Sequence, residues 1–179
     1  MHTNLLRGIL PYLLDVNARW KISRLPPPRV LATDFDGCLT DDRVYLNSAG
    51  DEFVAANRKD GLGSSRIQVM GIPIVIISSE RNTVVSRRAQ KMGVDVFQGV
   101  ANKVLALDDY LASKEVSWES VWFIGNDVND LEAIYRANVS LCPIDAAPEV
   151  RKRVDIVLPI PGGGGLLNYI AHHIVAENI

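Results

Sequence analysis

A run of β-branched residues near the middle of the chain restricts its fold more than any other feature. Ile72–Ile77 reads IPIVII and contains no polar residue, which is typical of a strand with both faces buried. Two shorter apolar runs have the same character, Val30–Ala32 and Val121–Ile124, and Val139–Cys142 and Ile156–Leu158 are further candidates. Strands buried on both faces need helices above and below them, so the sequence predicts a parallel sheet inside an α/β domain.

Helix-like segments separate these runs. Four segments have helical character: Asn82–Met92, Lys103–Lys114, Asp130–Ala137 and Gly165–Ala176. The first precedes Gly93, and glycine often ends helices because it tolerates the left-handed conformation. The alternation of strand and helix predicts right-handed crossovers between parallel strands. One segment departs from it: Val44–Ala55 surrounds the turn-forming residues Asn47–Gly50 and predicts a β-hairpin after the first strand.

The residues before the first strand differ in composition from the rest. Residues 1–29 contain an apolar stretch that Pro11 interrupts and Asp15 closes, followed by the proline run Pro26–Pro28. We expect a short amphipathic helix or a helix pair here, packed on its own domain or against a partner, with the α/β domain spanning residues 30–179. No small-residue cleavage site and no run of about 18 apolar residues follow, so neither a signal peptide nor a membrane anchor is expected.

The charge composition narrows the classes of partner. The formal net charge is -2, and both signs are mixed along the chain, which argues against a nucleic-acid surface or a basic membrane patch. The two cysteines, Cys38 and Cys142, lie far apart in the sequence. They show no disulfide framework and no metal-binding spacing, so a reduced, cytoplasmic protein is expected.

Acidic residues cluster where the first strand ends. The stretch ATDFDGCLTDD places Asp34 and Asp36 directly after the first apolar run. In an open parallel sheet, residues that follow the strands meet at one edge. We therefore expect these acids to lie near the residues that follow the second and third runs, namely Ser78, Ser79 and Glu80, and Asn126, Asp127 and Asp130. Carboxylates crowded at a buried edge cannot all stay ionised without a cation, and Mg²⁺ prefers such oxygen ligands.

Two polar residues complete a candidate phosphate site. Ser78 ends the second strand, where its hydroxyl and nearby N–H groups can hold phosphate oxygens. Lys103 opens a helix, where its charge opposes the helix dipole unless an anion lies beside it. The remaining acids Asp41, Asp42 and Asp60 fit turn and helix-cap roles.

The motifs together resemble those of the haloacid dehalogenase superfamily of phosphohydrolases. Asp34–Asp41 reads DFDGCLTD and is similar to the first motif, DxDGxxTD, while Ser78 matches the second, Lys103 the third and Gly125–Asp130 the fourth. Four motifs in order are far more specific than a single DxD. The resemblance implies a three-layer Rossmannoid parallel sheet with a β-hairpin flap after the first strand and no large cap domain.

Within this superfamily the chain is most similar to the 3-deoxy-D-manno-octulosonate 8-phosphate phosphatases and their sialic-acid-pathway relatives. Asn57–Gly63, Arg87–Arg88 and the late glycine tract carry this similarity. It implies that the substrate is a phosphorylated 2-keto-3-deoxy sugar acid. It also implies a homotetramer in which neighbouring subunits complete each active site. The substrate-binding residues it suggests are Asn57, Ser79, Glu80 and Arg87.

The same resemblance implies a role for each residue of the motifs. Asp34 is expected to be the nucleophile that forms an aspartyl-phosphate, and Asp36 the general acid and then the general base. Ser78 and Lys103 are expected to hold the transferring phosphoryl group. Magnesium ligands are expected from the first and fourth motifs: Asp34, Asp36, Asn126 and Asp127.

Three positions depart from the family pattern. Asn126 stands where a metal-binding aspartate is usual, so the site offers Mg²⁺ less charge. Ser79-Glu80 replaces the Gly-Arg pair of the octulosonate phosphatases. An acid there disfavours a second carboxylate, so a nonulosonate 9-phosphate is expected before an octulosonate 8-phosphate. Leu166–Asn168 follows the tract Gly162–Gly165 where relatives often carry an arginine, and the tract is expected as a flexible loop or as part of a lid.

Two other functions are open at this point. The first is a non-catalytic oligomerisation or regulatory domain associated with acylneuraminate cytidylyltransferase. Asn126, in place of a metal-binding aspartate, is consistent with it, although the retained Asp34 and Lys103 favour activity. A phospho-receiver domain also uses an aspartate with Mg²⁺, but receivers lack DxDG at the end of the first strand. Outside the motifs, His172 and His173 are expected on a helix surface, and Trp20, Trp118 and Trp122 in packing.

Overall fold

The computed structural model describes residues 2–174, and their side chains from residue 12 onward. Its centre is a six-stranded parallel sheet, whose strands are β1 (Val30–Thr33), β4 (Ile74–Ile77), β5 (Asp95–Phe97), β6 (Val121–Ile124), β7 (Val139–Cys142) and β8 (Ile156–Val157). Their order across the sheet is β5-β4-β1-β6-β7-β8. The central position of β1 brings the residue that follows it to the middle of the carboxyl edge of the sheet.

Helices cover both faces of the sheet. They are α1 (His2–Ile22), α2 (Arg58–Val69), α3 (Val84–Met92), α4 (Lys103–Ser113), α5 (Leu131–Arg136), α6 (Pro148–Arg151) and α7 (Leu166–His173). The buried strand residues alternate between two core clusters: Leu31 packs with α1, α2, α3 and α7, whereas Val30 and Ala32 pack with α4, α5 and α6. The predicted three-layer α/β fold with strands buried on both faces is therefore confirmed.

The β-hairpin after the first strand is also present. Strands β2 (Tyr45–Leu46) and β3 (Glu52–Phe53) pair antiparallel. The Asn47 side-chain oxygen accepts hydrogen bonds from the N–H groups of Ala49 and Asp51, both at 2.9 Å, and this bonding shapes the turn. Among the described residues, the segment between β1 and α2 contains no strand or helix beyond this hairpin, as expected for a chain without a large cap domain.

Helix α2 was not predicted from the sequence, because RKDGLGSSRIQV is polar and contains two glycines. The structure gives a packing reason for one of them. A Cβ atom at Gly63 would lie 2.2 Å from the backbone nitrogen of Asn168 in α7, so only glycine permits this close approach of the two helices. Strand β5 and helix α6, which are short, were also missed, and α3 begins at Val84 rather than Asn82.

The two ends of the chain differ partly from expectation. Helix α1 is continuous from residue 2 to residue 22, rather than a helix pair. Ala18 and Ile22 of α1 join the core cluster, while the proposed boundary at residue 30 stays a prediction. The final helix was expected to reach Ala176, which lies outside the described residues. Within residues 2–174, no helix is both long and apolar enough to cross a bilayer.

The tryptophans do not all pack as predicted. Trp122 is buried in the core, and Trp118 is half-buried with Nε1 donating to Asp108 at 2.6 Å. Trp20 contradicts the prediction because it is 55% exposed, with the guanidinium of Arg24 lying 4.6 Å from its ring. Its position on the outer face of α1 explains the difference. Cys38 and Cys142 are both buried, and both are free thiols.

Asp60 connects α2 to the start of α7. It is 1% exposed, and its Oδ1 accepts a hydrogen bond from the N–H of Leu167 at 2.9 Å. Its Oδ2 has no hydrogen-bond partner among the described residues. Burial raises the pKa of Asp60 to about 6, although the Leu167 N–H and the charge of Arg88 act in the opposite direction. Asp60 therefore caps a helix, as predicted, but a helix far away in sequence.

Replacing Asp60 with asparagine should change how stability depends on pH. The raised pKa means that the folded chain binds this proton more tightly than the unfolded chain, whose aspartate pKa is about 3.9. Ionisation of Asp60 therefore lowers the free energy of unfolding as pH rises from about 4 to about 6. Asparagine can still accept the Leu167 N–H but carries no charge. We expect it to add about 1 to 3 kcal/mol above pH 6 and little at pH 4.

Urea unfolding of Asp60→Asn and the wild type at pH 4.5 and pH 7.5 measures this difference. Asp109→Asn provides the matched control, because Asp109 is exposed on α4. An equal gain at both pH values would contradict a cost that arises from ionisation of Asp60.

Candidate active site

Asp34 directly follows β1 at the carboxyl edge of the sheet. It is 5% exposed, and its own N–H donates to the carbonyl of Ile124 at 2.9 Å, which extends the pairing of β1 with β6. Its Oδ1 accepts the N–H of Phe35 at 2.7 Å, and its Oδ2 lies 2.8 Å from Nζ of Lys103. The carboxylate is thus held in one orientation by a backbone donor and a cation.

Lys103 begins α4, as the sequence predicted. The helix is capped by Asn102, whose side chain accepts the N–H of Leu105. The Lys103 side chain is almost fully buried, and its Nζ also lies 2.7 Å from Oδ1 of Asp130. Lys103 thus has two anions beside it, the carboxylates of Asp34 and Asp130, while its predicted contact with a phosphoryl group stays a prediction.

Asp130 was expected at this edge of the sheet, but the sequence did not assign it a catalytic or metal-binding role. It is fully buried, and its Oδ2 accepts N–H groups from Asn126 at 2.9 Å and Asp127 at 3.3 Å. A Cβ atom at Gly125 would lie 2.6 Å from Asp130, so the motif needs glycine there. Asp130 thereby joins Lys103 to the loop after β6. The available signal was its place at the end of the fourth motif.

The charges of this group do not balance. One buried lysine faces two buried carboxylates. Burial, and then the charge of Asp130, raise the pKa of Asp34 to about 7, although Lys103 acts in the opposite direction. Burial alone would lower the pKa of Lys103, but Asp34 and Asp130 together raise it. A further positive charge beside Asp34 would favour its ionised form.

Asp36 lies beyond Asp34, at the half-buried entrance of the site. Its Oδ1 accepts the hydroxyl of Thr40 at 3.2 Å. Burial raises the pKa of Asp36, as do the charges of Glu80 and Asp42, against the effect of the Thr40 hydrogen bond. A carboxyl group with a raised pKa can hold a proton for a leaving group. Thr40, at the end of the first motif, is thus a supporting residue that was not singled out from the sequence.

Asn126 packs against the turn that follows Asp36. Gly37 makes this turn with a φ of 70°, and a Cβ atom there would lie 1.8 Å from Nδ2 of Asn126. The Asn126 side chain therefore lies next to the first motif, while its predicted role as a metal ligand stays a prediction. Asp127 is exposed, and its Oδ1 accepts the N–H of Val128 at 2.6 Å. Its predicted role as a metal ligand stays a prediction.

These donors fit a magnesium ion better than a metal of another class. Among the described residues, no group of three histidine, cysteine or acidic side chains has the arrangement of a metal site. The oxygen donors available are Asp34, Asp36 and the amide of Asn126. Mg²⁺ is commonly held by one or two carboxylates and keeps several water ligands, so it needs no third acid.

The residues after β4 form the other side of the entrance. Ser78 is buried, and its Oγ accepts the N–H of Glu80 at 3.1 Å. Glu80 Oε1 accepts N–H groups from Arg81 at 2.5 Å and Asn82 at 2.7 Å. An open cavity of about 310 Å³ lies outside, lined by Asp36, Asp42, Val44, Ser79 and Glu80. The entrance is therefore acidic, apart from any bound metal.

Two predicted substrate-binding residues do not line this cavity. Asn57 caps α2 through Lys59, and its Nδ2 donates to the carbonyl of Gly163 at 2.8 Å. Arg87 is exposed on α3. Within one chain the structure brings Ser79 and Glu80 to the entrance but not Asn57 or Arg87, whose substrate contacts stay predictions.

The late glycine tract packs behind the first motif. A Cβ atom at Gly162 would lie 2.2 Å from the carbonyl oxygen of Gly37, and the N–H of Gly163 donates to the carbonyl of Cys38 at 2.9 Å. Glycine is required here because two backbone segments touch. The tract is thus part of the wall behind the Asp36 turn.

Comparisons with known proteins agree with this geometry. Residues 75–170 match the family model of the haloacid dehalogenase-like hydrolases. The 3-deoxy-D-manno-octulosonate 8-phosphate phosphatase of Salmonella typhi is 32% identical over 143 residues, which cover 79% of this chain and 76% of that protein.

Solved structures give the same result. A haloacid dehalogenase-family hydrolase from Streptomyces avermitilis superposes with a TM-score of 0.81 at 36% identity, covering 87% of this chain and 98% of its own. The 3-deoxy-D-manno-octulosonate 8-phosphate phosphatase of Moraxella catarrhalis, in complex with a magnesium ion, a phosphate ion and KDO, has a TM-score of 0.80 at 27% identity. That match covers 88% of this chain and 90% of the other.

Proposed function

The chain belongs to the haloacid dehalogenase-like hydrolase family, and we propose that it is a magnesium-dependent phosphatase of a phosphorylated 2-keto-3-deoxy sugar acid. The observation that carries the proposal is the buried group of Asp34, Lys103 and Asp130, with Asp36 at its entrance. These residues bring together a nucleophile (Asp34), a cation (Lys103) and a proton donor (Asp36) at one edge of the sheet.

Asp34 acts as the nucleophile. One of its carboxylate oxygens bonds to phosphorus while the bond from phosphorus to the sugar oxygen breaks, and Asp36 gives its proton to that oxygen. Asp36 then takes a proton from water, whose oxygen bonds to phosphorus as the bond to Asp34 breaks. The products are the free sugar acid and inorganic phosphate, and both aspartates return to their starting states.

Lys103 and Ser78 bind the phosphoryl oxygens. Lys103 is already fixed by Asp34 and Asp130, so it needs little reorganisation as charge develops on the phosphoryl group. Asp34, Asp36 and Asn126 would hold Mg²⁺, which would supply further positive charge during phosphoryl transfer. The arrangement also offsets the surplus negative charge of the site.

The acidic entrance bears on the choice of sugar acid. Glu80, Asp36 and Asp42 line the cavity outside the phosphate site, where a substrate carboxylate close to Glu80 would be repelled. A longer nonulosonate 9-phosphate can hold its carboxylate farther from the phosphate than an octulosonate 8-phosphate can. We therefore favour the nonulosonate, with the octulosonate next because relatives carry that name. A non-catalytic role fits poorly with an intact nucleophile, general acid and lysine.

Phosphate release from a panel of sugar phosphates in the presence of Mg²⁺ tests the proposal. The panel contains a nonulosonate 9-phosphate, 3-deoxy-D-manno-octulosonate 8-phosphate and glucose 6-phosphate. We expect the nonulosonate to exceed the octulosonate by about tenfold in kcat/KM, and both to exceed glucose 6-phosphate. No release from either sugar acid phosphate would overturn the proposed function, and an octulosonate preference would overturn only our choice between the two acids.

Replacing Glu80 with glutamine tests how the entrance selects its substrate. Glutamine removes the charge while its Oε1 can still accept the N–H groups of Arg81 and Asn82. We expect kcat/KM for the octulosonate 8-phosphate to rise about threefold to tenfold, since a repulsion between two unit charges about 4 Å apart costs about 1 kcal/mol when water screens it. Glu119→Gln, a change at an exposed glutamate, is the control. Equal kinetics for the two variants would show that Glu80 has no part in selection.

The exposed hairpin supports the predicted homotetramer. Val44, Tyr45, Leu46 and Phe53 are each between 53% and 67% exposed, and Tyr45 pairs with Phe53 across the hairpin. Exposed apolar side chains concentrated on one short element commonly mark a protein interface. We expect a sedimentation mass of four chains, reduced by Leu46→Ser. Leu105→Ser changes an equally exposed leucine on α4 and should leave the mass unchanged. A single-chain mass for the wild type would contradict the tetramer.

A further inference from the structure

A second pocket, remote from the acidic entrance in sequence and opposite in charge, lies between α1, α2 and α7. It has a volume of about 400 Å³ and is lined by Arg19, Lys59, Ile160, Gly164, Gly165, Asn168, Tyr169, His172 and His173. Among these residues the ionisable groups are two permanent cations, two histidines and a tyrosine, with no carboxylate. Pockets of a few hundred cubic ångströms are typical of small-molecule sites.

The cations of this pocket come from different elements and converge. Lys59 lies at the start of α2 and makes no ion pair among the described residues. Arg19 reaches the pocket from α1 with its guanidinium 2.6 Å from Asp15, the carboxylate that also accepts the hydroxyl of Tyr169 at 2.9 Å. Asp15 therefore offsets only one of the two permanent charges.

Both histidines of the pocket are held by neighbouring side chains, and one of these neighbours is a further cation, Arg66. Nη1 of Arg66 lies 2.7 Å from Nε2 of His172. Because arginine can only donate, this nitrogen accepts and the ring proton is on Nδ1. The ring of His173 packs edge-on against Tyr169 at 4.6 Å, which fixes its orientation. Asp60, the other acid near α7, is buried and turned to the N–H of Leu167.

We propose that this pocket is a second anion site, which binds the phosphate group of a small metabolite outside the active site. Lys59 and Arg19 supply charge, and Asn168 and His172 supply hydrogen bonds to the phosphate oxygens. The site is separate from the proposed phosphatase chemistry, because none of its lining residues belongs to the four motifs.

The glycine tract connects this pocket to the active site. Gly164 and Gly165 line the pocket, while Gly163 bonds to Cys38 and Gly162 touches Gly37. Within the same turn, the hydroxyl of Thr40 donates a hydrogen bond to Asp36, the proposed general acid. We therefore expect an anion bound against the tract to shift the amide signal of Gly163, which contacts the segment that carries the proposed general acid.

Histidine ring signals in NMR spectra provide a local test. The chain contains three histidines, His2, His172 and His173, and His172→Gln assigns the signal of His172. Inorganic phosphate is added to the full chain without Mg²⁺ or substrate, at constant pH and with sodium chloride holding the ionic strength. We expect saturable shifts at His172 and His173 and at the amide of Gly163.

Lys59→Gln and Lys152→Gln separate the site from a general salt effect. Both remove one exposed lysine, but only Lys59 lines the pocket. We expect Lys59→Gln to weaken phosphate binding about threefold to tenfold and Lys152→Gln to leave it unchanged, with both folds checked by thermal unfolding. Linear shifts, or equal binding in the two variants, would overturn the site. Saturation at the histidines without a shift at Gly163 would overturn its connection to the active site. Neither result bears on the phosphatase function, which is measured separately.

Discussion

Replacing Asp34 with asparagine should lower kcat for the sugar acid phosphate by about 10⁴-fold or more while leaving the fold intact. The amide of asparagine is a poor nucleophile and cannot form the aspartyl-phosphate, and removal of a nucleophile alone commonly has an effect of this size. The backbone N–H of Phe35 and Nζ of Lys103 both donate to Asp34. Asparagine can satisfy one of them, so the change in unfolding free energy should be small beside the kinetic loss.

Asp41→Asn is the matched control for this experiment. Asp41 belongs to the same acidic stretch and is half-buried, but its carboxylate accepts the backbone N–H of Arg43 at 3.4 Å and faces the hairpin. Its replacement should change kcat by less than about threefold. Acid-quenched enzyme should carry a covalent phosphoryl group in the wild type and in Asp41→Asn only. Equal turnover by the two variants would remove Asp34 from the nucleophile's role.

The acidic stretch shows how far the sequence could be interpreted. The apolar run before Asp34 predicted a buried strand. Because strands of this kind are buried on both faces, they also predicted a layer of helices on each side of the sheet. The parallel arrangement of the strands alone predicted that Asp34, Ser78 and Asn126 meet at one edge of the sheet. What could not be predicted was the part that depends on contacts between distant segments, such as α2 against α7 at Gly63. Glycine disfavours helix formation, so two glycines argue against a helix unless the segment that packs against them is known.

The same limit applies within the site. Lys103 was expected beside an anion, but a phosphate could not be distinguished from a carboxylate of the protein by sequence alone. The structure shows Asp130 in that position. Conversely, Asn57 and Arg87 were grouped with the substrate by resemblance, although the cavity of one chain excludes them.

Replacing Lys103 with methionine should lower both the free energy of unfolding and the rate of turnover. The change leaves Asp34 and Asp130 buried without their shared cation, and removing one partner of a buried ion pair costs about 3 to 5 kcal/mol. Turnover should fall about 10³-fold, because a fixed donor to the transferring phosphoryl group is lost. The stability loss should be smaller at pH 5 than at pH 8, since protonation of Asp34, whose pKa is already raised to about 7, relieves the repulsion.

The double variant Lys103→Met with Asp130→Asn separates the two effects. Asparagine at position 130 can still accept the N–H of Asn126, and only one buried carboxylate then remains. Urea unfolding without Mg²⁺ should show that the double variant regains about 1 to 3 kcal/mol over Lys103→Met, while kcat stays at the low value of the single variant. Strictly additive losses of stability would contradict the shared ion pair. Recovery of turnover would show that Lys103 serves only to neutralise Asp130, and that the phosphoryl group is held by other residues.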